Sequence, residues 1–101
     1  RLIGGAHVEV AASGRDALAR GPLRRFDVIV CDLMMPEMTG IELYRRAIAE
    51  APALASRFVF LTGGVFTDEA RAFVDEPGRR CLTKPVERAE LLAAIEAAAA
   101  A

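Results

Sequence analysis

The chain has 101 residues, 53% of them hydrophobic, and its 13 basic and 14 acidic side chains leave a formal net charge of -1. That length suits one domain around one core, and the apolar share excludes a disordered chain. The near balance of charge gives no footing for a nucleic-acid or anionic-membrane surface. No apolar stretch is long enough to span a bilayer, and the sequence is expected to carry no signal peptide. The two cysteines, Cys31 and Cys81, lie in separate apolar segments with no CxxC or Cys/His cluster. That usage points to a reducing cytoplasm and no structural zinc.

Strand and helix signals alternate along the chain. Residues 7–10 alternate polar and apolar, as a half-exposed edge strand does. Ser13-Gly14-Arg15-Asp16 reads as a capping box opening a short helix that ends near Gly21-Pro22. Residues 28–31 form a continuous apolar run, the pattern of a strand buried on both faces. Thr39 and Glu42 cap a helix that turns Ile41, Tyr44 and Ile48 inward and stops before Pro52. A second buried strand, 58–61, ends at Thr62-Gly63-Gly64. Thr67 starts a helix with Ala70, Phe73 and Val74 inward, closed by Pro77-Gly78. Residues 80–83 are a short last strand, and after Lys84-Pro85 a final helix runs through Leu91, Leu92 and Ile95.

This β-α order predicts parallel strands with helices on both faces. Parallel strands share one polarity, so Asp32, Thr62 and Lys84, each at or just past the end of a strand, emerge at one sheet edge. Open α/β sheets bind ligands there. Asp32 is the informative residue: a charge that closes so apolar a strand resists burial unless it is paired or metal-bound. An acid, a hydroxyl and an amine together suit phosphoryl chemistry. Asp32 is the candidate nucleophile. Thr62 donates to a phosphoryl oxygen and Lys84 offsets its charge. Gly63 and Gly64 leave backbone N–H groups open to an anion.

Asp32 with Met35-Pro36 and Gly40, then Leu61-Thr62-Gly63, then Lys84-Pro85, resemble in order and spacing the receiver domain of bacterial two-component response regulators. The segment from Thr62 through 70–73 to Val86 further resembles receivers at the C-terminus of hybrid sensor histidine kinases. The resemblance implies a flavodoxin-like doubly wound parallel sheet of order 2-1-3-4-5. It implies phosphoryl transfer from a histidine kinase or phosphotransfer domain to Asp32, with slow autodephosphorylation. It makes Thr62 the switch hydroxyl, Lys84 and Gly63 the phosphate-binding groups, and Lys84-Pro85 a cis peptide. Mg²⁺ would be held by Asp32 and the Met34 backbone carbonyl. The partners implied are the kinase and a second copy docking through the last helices and strand, with neither nucleic acid nor membrane engaged directly.

Two departures qualify the pattern. Receivers begin with a strand ending in an acidic pair, whereas residues 1–5 read as the last turn of the helix that follows it. The expectation is therefore one receiver domain over 1–101, N-terminally incomplete, with Mg²⁺ bound weakly or not at all. The aromatic switch position is degenerate, being Cys81. One alternative is a pseudo-receiver, an interaction module that is never phosphorylated. Another is a haloacid-dehalogenase-like phosphatase, disfavoured because Met34 stands where its second acid belongs.

Each residue also has a plainer reading. Asp32 alone reads as a cap or turn acid, Thr62 as a turn residue and Lys84 as a solvated lysine. Their shared register is what sets them apart. Cys31 and Cys81 read as small core hydrophobes, and His7 as a surface residue. Met34, Met35 and Met38 read as loop packing.

Overall fold

Short apolar runs rich in β-branched and aromatic residues make the strands, and side-chain caps mark where two of the helices begin. The computed structural model describes residues 2–3, 6–7, 14–19, 21–23, 26–33, 39–63 and 67–100. The elements are β1 (Leu2–Ile3), β2 (Ala6–His7), α1 (Gly14–Ala19), β3 (Ile29–Asp32), α2 (Gly40–Glu50), a 3-10 helix (Pro52–Arg57), β4 (Phe58–Thr62), α3 (Asp68–Asp75), β5 (Arg80–Thr83) and α4 (Arg88–Ala100). β4 lies between β3 and β5 in a parallel sheet, with Ile29 opposite Phe58 and Val59 opposite Arg80. The fold is thus α/β and flavodoxin-like, and the sheet shows the 3-4-5 part of the expected order.

The helix signals hold where they can be followed. Thr39 accepts from the Glu42 backbone N–H at 3.2 Å, and Glu42 Oε1 accepts from the Thr39 N–H at 3.3 Å, a complete capping box. α2 ends at Glu50, two residues before Pro52. Thr67 caps α3 by accepting from Ala70 N–H at 3.0 Å, and Gly78, at φ 84, takes the left-handed turn beyond it. Tyr44 on α2 meets Phe58, Phe60 and Phe73 edge-on, with ring centroids 5.2, 5.6 and 5.4 Å away. Such pairs add roughly 0.5–1.5 kcal/mol each beyond their area burial. They weld α2 and α3 to one face of the sheet. On the other face α4 packs on β4, where Val59 and Ala98 are both fully buried.

Three expectations are corrected. Leu2–Ile3 are not a helical turn but pair antiparallel with Ala6–His7, Ile3 opposite Ala6. Pairing with Ala6 and His7 satisfies backbone groups of Leu2 and Ile3 across the strands, and that decides against a helical turn. His7 consequently belongs to that hairpin and not to the parallel sheet; 8–10 and Ser13 lie outside the described residues. Finally, β3 is not buried on both faces: Val30 is 42% exposed. It shares a face with its register partner Val59, but α4 covers β4 and leaves Val30 open.

Candidate functional site

The parallel register builds the site. Asp32, the last residue of β3, stands opposite Leu61, and Thr62, the last of β4, stands opposite Thr83. The ladder then runs one step past each outer strand. Leu33 N–H donates to Leu61 O at 2.9 Å, and Lys84 N–H donates to Thr62 O at 2.8 Å. These bonds carry Asp32 and Lys84 to the same edge although 52 residues separate them.

There Lys84 Nζ donates to Asp32 Oδ2, forming an ion pair whose side chains are 45% and 31% exposed respectively. The pair is therefore accessible to a ligand from solvent, and water screens it. Thr62 is buried, 4% exposed. The Lys84–Pro85 peptide bond is cis. The structure thus brings Asp32, Thr62 and Lys84 to one edge. Met34 and Gly64, with Met35, Pro36 and Met38, lie outside the described residues.

Gly63 has a weaker steric reason than the sequence suggests: a Cβ there would meet only Lys84 Cδ, at an ordinary 4.0 Å. Gly40 has a stronger one. A Cβ at Gly40 would lie 2.6 Å from Asp32 O, 2.9 Å from Leu33 Cα and 3.1 Å from Cys31 Sγ. Gly40 N–H also donates to Leu33 O at 2.9 Å. The first turn of α2 therefore rests directly on the backbone that carries Asp32. Sequence reading placed Gly40 in the motif but missed this contact; its only local signal is a glycine immediately after an N-cap threonine.

Both thiols are held toward the protonated form. Burial, reinforced by the negative charge of Asp32, pushes Cys31 up to about 12. Burial also raises Cys81, against the lowering influence of Arg79 and with a further rise from Asp75. Cys31 and Cys81 face Phe60 from opposite strands. Two strand spacings, on the order of 9–10 Å, separate them, too far for a disulfide. No group of three or more His, Cys, Asp or Glu side chains able to hold a metal occurs among the described residues.

Comparison with known proteins agrees with this geometry. A family model described as the response regulator receiver domain matches residues 3–96. The chain is 35% identical over 83 residues to a response regulator receiver protein of Anaeromyxobacter sp., covering 82% of this chain and 34% of that protein. It is 28% identical over 93 residues to the probable transcriptional regulatory protein TcrX of Mycobacterium tuberculosis, covering 92% and 39%. The chain thus spans less than two fifths of the length of these curated relatives. Among solved structures it is similar to chemotaxis protein CheY4 of Vibrio cholerae, at TM-score 0.74 and 32% identity over 91% of this chain and 77% of that one. It is also similar in fold to the receiver domain of sensor histidine kinase PA1611 of Pseudomonas aeruginosa, which was solved with magnesium in its active-site cleft. There the TM-score is 0.76 at 22% identity, over 94% of this chain and 78% of that one.

Proposed function

The chain belongs to the response regulator receiver domain family, and from that premise we propose that Asp32 accepts a phosphoryl group from the phosphohistidine of a histidine kinase or phosphotransfer domain. The observation that carries this reading is the accessible Asp32 carboxylate held against Lys84 at the strand-end edge. An Asp32 oxygen attacks phosphorus, the new O–P bond forms as the N–P bond breaks, and the electron pair returns to the imidazole nitrogen. Water later hydrolyses the acyl phosphate, slowly, to regenerate the carboxylate.

Lys84 must let go of one partner to serve another. Its ammonium pairs with Asp32 before transfer and offsets the phosphoryl oxygens after it. Thr62 is the hydroxyl that turns toward the new group. Backbone N–H of Gly63 is the further phosphate contact. The described residues hold no group of three or more metal-ligating side chains and do not by themselves fit a tight Mg²⁺ site, because that ion demands near-octahedral oxygen ligands. In this reading Mg²⁺ is held weakly, by Asp32, the Met34 carbonyl and water.

Phosphorylation reshapes the surface formed by α3, β5 and α4, the face through which a partner or a second copy docks. Cys81 stands on β5 at the degenerate switch position, so the change passes without an aromatic flip. The chain acts as a single receiver domain in the cytoplasm, as a stand-alone regulator or as part of a hybrid kinase. No helix among the described residues is long and apolar enough to cross a membrane.

The test is incubation of the full chain with acetyl phosphate and Mg²⁺, read by intact mass and by lability of the adduct to hydroxylamine. One phosphoryl group is expected, and none in Asp32→Asn. Modification that persists in Asp32→Asn sinks the assignment. A chain that never takes the group but still binds a kinase is a pseudo-receiver.

A further inference from the structure

Between α2 and α3 the surface carries an open groove of about 330 Å³ that the Asp32 site does not use. Its aromatic lining is Tyr44 and Phe73, and Arg79 covers both: the guanidinium carbon sits 3.7 Å from the Phe73 ring centroid and 4.8 Å from that of Tyr44. Arg79 Nη1 also donates to Phe73 O at 2.9 Å. A guanidinium has five N–H donors, so this cation is held in place by three contacts and still has donors to offer. Little side-chain entropy remains to be lost when it binds an acceptor.

Two more groups in the groove are uncommitted. The Glu76 carboxylate has no partner among the described residues, and it does not pair with Arg79. The Tyr44 hydroxyl has no hydrogen-bond partner among the described residues and opens to solvent, since no buried side-chain polar atom there is left unpaired. The remaining charges cancel each other, since Arg45 pairs with Glu69 at 3.8 Å. Ile48 and Ala72 supply the apolar part of the lining. The groove therefore combines one cation with spare donors, one unpaired carboxylate, a hydroxyl and an apolar strip.

We propose that this groove binds a small zwitterion with an apolar body, a free apolar α-amino acid. The carboxylate meets Arg79, the ammonium meets Glu76, and the side chain lies along Ile48 and Ala72. Water solvates both charges in this open groove, so a ligand with one charge forgoes one of the two attractions and binds more weakly than the zwitterion. The site is open, so the affinity is on the order of millimolar, the weak end of specific recognition.

Tyr44 is the only tyrosine and there is no tryptophan, so the intrinsic emission of the full chain reports this groove directly. Titration with L-leucine should give a saturable change in emission. Isocaproate, which lacks the ammonium, and isoamylamine, which lacks the carboxylate, should bind at least several-fold more weakly. Glu76→Gln should weaken leucine several-fold and leave isocaproate unchanged. Ala72→Leu, at an exposed helix position, should abolish binding with an unaltered circular dichroism spectrum. Equal responses to the three compounds, an unaffected Glu76→Gln, retained binding in Ala72→Leu, or no saturable response would each overturn the proposal. Phosphorylation of Asp32 is scored separately, so failure here leaves that reading standing.

Discussion

Gly40→Ala is a one-methyl change that tests how the site is supported. The new Cβ would lie 2.6 Å from Asp32 O, where contacts of 3.4 Å begin to be ordinary, so the backbone must yield by roughly 0.8 Å (3.4 minus 2.6). Two of its three neighbours, Asp32 O and Leu33 Cα, are main-chain atoms and cannot rotate away. Overpacking of this kind costs about 1–3 kcal/mol. Alanine recovers up to about 1 kcal/mol of helix propensity in a helix interior, and less in a first turn. A net loss of about 1–2 kcal/mol is expected in urea denaturation, with an unchanged m-value. Because the displaced atoms include the Asp32 carbonyl, phosphoacceptance should fall further than stability does: a misplacement near 1 Å can cost about 100-fold in rate. Paired denaturation and acetyl phosphate kinetics decide it. A Gly40→Ala chain as stable as the parent, with undiminished phosphoacceptance, would refute the idea that α2 braces Asp32.

Three further outcomes follow from the geometry. Val30→Thr, on the open part of the sheet, should change stability by no more than about 0.5 kcal/mol. Val59→Thr, which puts a hydroxyl among fully buried groups, should cost about 1–3 kcal/mol; equal costs in denaturation would show that Val30 is covered in solution. Lys84→Ala removes half of a solvent-screened ion pair, so stability should fall by less than about 1 kcal/mol while phosphoacceptance is largely lost. Unfolding with phosphotransfer intact would make Lys84 structural. Cys31 is protonated in the fold up to about 12, whereas an exposed thiol ionises near 8.5. Its stabilisation is therefore complete below that lower value and is lost as pH rises from about 8.5 toward 12. Cys31→Ala should flatten the alkaline part of the stability curve, as pH-dependent denaturation would show.

What the sequence by itself determined was local or periodic. Thr39 with Glu42, and Thr67 by itself, announce helix starts because a cap is made within four residues. The run Phe58 to Leu61 announces a buried strand because its apolarity is continuous. Asp32, Thr62 and Lys84 were legible as one site because parallel strands have one polarity, so residues at their ends share an edge whatever the intervening helices do.

Tertiary structure decided what depends on which surfaces meet. Val30 and Val59 sit in equally apolar runs, yet one is open and the other sealed, because α4 covers β4 and not β3. Leu2 and Ile3 read as helix but pair as a hairpin, because cross-strand partners in Ala6 and His7 take up their backbone groups. The Lys84–Asp32 pair and the stacking of Arg79 on Tyr44 join atoms distant in sequence, and the crowding at Gly40 and the stacking of Arg79 on Phe73 close across loops. A pattern of neighbours along the chain cannot encode such contacts; they exist only once the helices have been laid against the sheet.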